Sequence, residues 1–99
     1  MVQITRHALE RLACHHPDVD VDSARALVSA SFEVDRSVAA GLLFRRMEST
    51  RDVYLLTPDR RGLLVLVPKR GGRLVLITYL RFQASQVAVA ERLYPLEGS

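Results

Sequence analysis

The sequence predicts an α+β fold: two N-terminal helices, an antiparallel meander of three to four strands, and a C-terminal helix, in a single domain over residues 1–99. Two observations carry this. Apolar residues recur three and four apart in the first third of the chain, and three later runs alternate between turn segments rich in glycine, proline and aspartate.

The elements follow in order. Ile4, Ala8, Leu9 and Leu12 fall at helical spacing with Thr5 available as a cap, so the first helix runs from Arg6 to about His15 and stops near Pro17. Asp20 or Asp22 can accept from the free amides of a second helix that continues to about Ser31 and buries Val21, Ala24, Leu27 and Val28. Between Phe32 and Thr50 the pattern weakens: Ser37–Leu42 reads as a helical turn and Leu42–Met47 as an edge strand ending in Arg45-Arg46. Strands are then expected over Asp52–Thr57, Leu63–Pro68 and Arg73–Phe82. Gly71-Gly72 suits a two-residue hairpin turn with positive φ, which would set Arg70 opposite Arg73, Val67 opposite Leu76 and Val65 opposite Thr78. Ser85 can cap a last helix, Gln86–Tyr94, halted by Pro95.

Strict alternation along these strands places Tyr54, Leu56, Leu63, Val65, Val67, Leu74, Leu76, Thr78, Leu80 and Phe82 on one face. Val53, Leu55, Leu64, Leu66, Val75, Ile77, Tyr79 and Arg81 take the other. Both faces are largely apolar, so helices must cover one; the other is covered by the last helix or offered to a second copy or a cognate binding protein.

Charge is unevenly spread. The net charge is +3, yet residues 1–44 sum to −2 and residues 45–81 to +6, and thirteen of the fourteen basic side chains are arginine. Arginine's planar fork suits phosphate, although a basic sheet also serves as a plain solvated surface. Cys14 is the only cysteine, so an internal disulfide is excluded. No apolar signal core opens the chain and no apolar run is long enough to span a bilayer, which predicts a cytoplasmic protein without a membrane partner. Phosphate-cradling glycine loops and serine nucleophile elbows do not occur, which disfavours nucleotide hydrolysis and acyl transfer. Cys14, His15 and His16 invite a metal reading, but neighbouring ligands on a helix diverge and no second ligand pair follows, so no metal or other cofactor is expected.

The opening Ile4-Thr5-Arg6-His7-Ala8-Leu9-Glu10-Arg11-Leu12 and the late strand Ile77-Thr78-Tyr79-Leu80-Arg81-Phe82 resemble the small ribonuclease toxins grouped as barnase, EndoU, colicin and RelE-like, over about residues 4–82. The resemblance implies a metal-independent ribonuclease, as a toxin or a phage or mobile-element effector, with RNA as substrate and a cognate antitoxin, immunity or host protein as partner. Such cleavage needs a base for the 2′-hydroxyl, an acid for the leaving 5′-oxygen, and cations for the phosphate. His7 and Arg11 are four apart on one helix face, and Tyr79 and Arg81 share a strand face, so these four are the candidate catalytic residues. Tyr79 is expected to stack on a base or hold a proton; Arg45, Arg46, Lys69, Arg70 and Arg73 are candidate phosphate-binding residues. Each has an ordinary alternative as a surface or core side chain. The competing reading is a non-enzymatic binding module that uses the apolar sheet face and basic rim.

Overall fold

The first strand is one that helical periodicity concealed. In the computed structural model, which describes residues 2–43 and 51–96, β1 (Val2–Ile4) precedes α1 (Arg6–Ala13), and Ile4 belongs to the sheet. Then come α2 (Val21–Ala30), β2 (Phe32–Val34), α3 (Arg36–Leu43), β3 (Val53–Leu56), β4 (Gly62–Pro68), β5 (Leu74–Arg81) and α4 (Ala84–Leu93). The α+β class is as expected. The sheet is a correction: it has five strands in the order β1-β5-β4-β3-β2 and is mixed, because β1 runs parallel to β5 while the other pairs are antiparallel. Three-residue strands carry too little alternation to register in the sequence.

Helix starts follow the caps. The Thr5 hydroxyl accepts from Ala8 N–H at 3.1 Å, and Asp20 accepts from Ser23 N–H at 2.7 Å. The last helix starts earlier than expected, at Ala84, with the Gln86 side chain accepting from Gln83 N–H, so Ser85 lies inside the first turn. Leu42 and Leu43 end α3 instead of opening an edge strand; the rest of that expected strand, with Arg45 and Arg46, lies outside the described residues.

The β4–β5 hairpin departs from the two-residue turn. A single 3₁₀ turn, Arg70–Gly72, connects the strands, Gly71 and Gly72 at φ +77° and +75°, and Lys69 N–H donates to Arg73 O at 2.7 Å. Val67 therefore pairs with Val75 and Leu66 with Leu76, yet Val65 pairs with Thr78 as expected. A bulge between these pairs absorbs the difference, two residues of β5 opposing one of β4. One residue of slip inverts facing, so Leu74 and Leu76 move to the Tyr79 side and Ile77 to the Tyr54 side.

Each face has its own core. Leu64, Leu66, Leu76 and Tyr79 pack under Ala8 and Leu12 of α1 and Ala24 and Val28 of α2. Tyr54, Leu56, Leu63, Val65 and Phe82 pack under Ala39 and Leu42 of α3 and Ala90 of α4. Fully burying each such leucine contributes roughly 1.5–3 kcal/mol. Of the two outcomes open for the second sheet face, cover by helix or an offer to a partner protein or second copy, the structure shows cover, by α3 and α4. Among the described residues no helix is long and apolar enough to cross a membrane.

Candidate functional site

The bulge in β5 is also where α1 is attached. Thr5 N–H donates to Leu76 O at 3.1 Å, and the Thr5 hydroxyl lies 3.0 Å from the same carbonyl oxygen. From this anchor the eight residues of α1 advance about 12 Å, at 1.5 Å per residue, towards the end of β5 that carries Tyr79 and Arg81. Past the bulge those two residues face the α1 side.

There Arg11, Tyr79 and Arg81 come together, lining one cavity of about 310 Å³ with Leu43 and Leu80. The Arg81 guanidinium donates to the Tyr79 hydroxyl through Nη1 at 3.3 Å. Just after α1, His15 N–H and His16 N–H both donate to Leu12 O, at 3.0 and 2.8 Å. That shared anchor turns both imidazoles edge-on to Tyr79, each with its ring centre 6.1 Å from the phenol's.

The floor is Gly62 of β4. A Cβ built there would lie 2.5 Å from Tyr79 Cζ and from its hydroxyl oxygen, so the ring occupies the space that any other residue would fill. Tyr79 is consequently only 3% exposed. It offers no free face on which a base could stack, contrary to that part of the sequence expectation. Burial pushes its phenol above the ordinary 10.0, opposed by the hydrogen bond and charge of Arg81. It is therefore a neutral hydroxyl at physiological pH, with its acceptor side engaged by Arg81 and its own proton available.

The β3–β4 turn supplies the remaining charges. The Thr57 hydroxyl donates to Asp59 Oδ1 at 2.7 Å and Arg61 N–H to the same oxygen at 2.9 Å. Partial burial would raise the Asp59 carboxyl, but these two bonds, with the positive charges of Arg81 and His16, hold it below its ordinary 3.8.

The other expected residues lie elsewhere. His7 is exposed on α1 and does not line the cavity. Lys69, Arg70 and Arg73 are exposed at the far end of the sheet, with Arg73 Nε 3.5 Å from Arg70 O. The length of β5, about 26 Å at 3.3 Å per residue, separates them from Arg81. Sequence reasoning missed His15, His16, Asp59, Arg61 and Gly62. The one available signal was the proline at position 17, which ends α1 and leaves two imidazoles at its tip. Cys14 does not join them: it is exposed and its Sγ lies 3.4 Å from Glu10 O. Among the described residues no group of three or more His, Cys, Asp or Glu side chains is placed to hold a metal ion.

Compared with known proteins, the chain matches no family model, and no curated protein or solved structure is significantly similar to it.

Proposed function

We propose that the chain cleaves RNA by metal-independent transesterification, with the phosphodiester seated between Arg81, Arg11 and the Tyr79 hydroxyl. The observation that carries this reading is the convergence on one buried phenol of two imidazoles and an arginine at the edge of a cavity that a second arginine also lines. The resemblance of residues 4–82 to the small ribonuclease toxins supports it, and the proton-transfer role passes from His7 to His15 and His16.

Imidazole takes up and gives protons near neutral pH. One of the pair removes the proton of the 2′-hydroxyl, whose oxygen then bonds to phosphorus. The P–O5′ bond breaks and the second imidazole, protonated, delivers its proton to the departing oxygen, leaving a 2′,3′-cyclic phosphate and a 5′-hydroxyl. Arg81 and Arg11 balance the charge growing on the non-bridging oxygens, and the neutral phenol donates to one of them. Asp59, held ionised by two hydrogen bonds in its turn, supplies a fixed negative charge near Arg81 and His16.

The test is incubation of the full chain with total RNA in the presence of a chelator. Wild type yields fragments ending in cyclic phosphate. His15→Ala and His16→Ala each lose roughly 10²- to 10⁴-fold in rate, the range for a missing acid or base. Intact RNA under all conditions would overturn the reading. Retention of RNA without cleavage would move the function to binding alone.

A further inference from the structure

His16 has a second environment. It also borders another, open cavity, of about 550 Å³, whose walls are largely apolar: Val19 from the loop and Ala26, Leu27 and Ala30 of α2. Size and lining fall within the range of small-molecule sites, which pair apolar walls with a few polar groups. Those groups are His16, Asp18 and Ser23.

Charge has opposite signs on the two sides of His16. Towards Tyr79 stand Arg11, Arg61 and Arg81, against the Asp59 carboxylate. Around the start of α2 stand Asp18 in the loop, Asp20 at the N-cap and Asp22 in the first turn; Asp20 accepts from Ser23 N–H, Asp22 lies 4.0 Å from Arg25, and Asp18 lines the cavity. A phosphodiester is drawn to the first side and repelled from the second. A nucleobase is neutral and flat, and its edge carries N–H donors. Apolar walls beside an imidazole suit its faces, and a carboxylate accepts from an exocyclic amine.

We infer that this cavity seats the base adjoining the phosphate held at Arg81, with the Asp18 carboxylate favouring bases that carry an exocyclic amine over uracil. This rests on the RNA-cleaving reading for the identity of the ligand. It goes further in fixing the orientation of the nucleotide: sugar–phosphate over Tyr79 and base beyond His16.

The probes are adenosine and uridine monophosphate, titrated into the isotopically labelled full chain and followed by backbone amide NMR shifts. Adenosine monophosphate is expected to shift His16, Val19 and Ala26 and to bind about tenfold tighter than uridine monophosphate, in line with one charged hydrogen-bonded contact to the base edge. Asp18→Ala removes that difference. Ala26 is exposed on α2, so Ala26→Trp fills the cavity without disturbing the core; it abolishes the shifts at His16 and Val19 while inorganic phosphate still perturbs Arg81. Shifts confined to the Arg81 side, or unchanged nucleotide binding by Ala26→Trp, would overturn the inference. Binding in the cavity by a chain that leaves RNA intact keeps the base seat and removes the cleavage reading. Cleavage by Ala26→Trp with unaltered base preference does the reverse.

Discussion

Tyr79 lies across Gly62, its ring filling the position of a side chain that glycine lacks. The contact joins a fold requirement to the candidate site, because the same placement brings the hydroxyl to Arg81. Gly62 has no positive φ, so its need for glycine is steric alone.

Gly62→Ala must therefore displace the phenol. Overpacking of this kind costs about 1–3 kcal/mol, read as a lower midpoint in urea. Tyr79→Ala in the same chain removes the obstacle, so the double variant loses less than the sum of the two single ones. Additive losses would show that ring and glycine are not in contact.

The bulge makes its own prediction. With Leu76 on the α1 side, Leu76→Ala and Leu12→Ala act on one cluster, each costing roughly 2–5 kcal/mol. Their double variant should couple by at least about 0.5 kcal/mol, whereas Leu76→Ala with Leu42→Ala, across the sheet, should be close to additive. Had the hairpin kept strict alternation, these two outcomes would exchange.

Asp59 gives a pH dependence with a definite sign. Its folded-state carboxyl is held below the ordinary 3.8, so its contribution is present above that value and is lost as pH falls through it towards the folded-state value. Asp59→Asn should lower stability at neutral pH and flatten the loss between about pH 4 and the acid limit, measured by urea melts at several pH values. An unchanged acid limb would show that the carboxylate is free in solution.

Arg60 ties the β3–β4 turn to the segment that follows α4. At φ +62° its guanidinium donates to Pro58 O, to Tyr94 O at 2.8 Å and to Pro95 O at 3.1 Å, and sits 4.9 Å from the centre of the Phe32 ring. Arg60→Ala loses these contacts and keeps the unfavourable φ; Arg60→Gly loses the same contacts but relieves the backbone by about 1 kcal/mol. Thermal melts should rank wild type above Arg60→Gly and Arg60→Gly above Arg60→Ala, with faster amide exchange at Tyr94 in both.

Some of the site was legible in advance and some was not. Tyr79 and Arg81 share a face because spacing of two on a strand fixes it, which is visible in the letters, and Arg11 reaches the same cavity from α1. His7 satisfied the helical-wheel argument as well as Arg11 did, but a wheel gives an angle and no position along the axis. The cavity lies nearer the C-terminal end of α1, where His15 and His16 are. Gly62 and Asp59 both fall in the turn segment between two expected strands, where the letters give them no site role.

Taken alone, the order of residues determined the class of the fold, the cap at Thr5, a second cap at Asp20 or Asp22, the three longer strands and their two apolar sides, since these follow from periodicity and local hydrogen bonding. Tertiary structure decided the parallel strand at the sheet's edge, the facing of Leu74, Leu76 and Ile77, and which imidazoles meet Tyr79. The physical reason is that a single inserted residue in β5 reverses every side chain on one side of it. Where that residue is accommodated depends on the length of a turn and on Thr5 binding the bulge carbonyl, a contact between positions 71 residues apart.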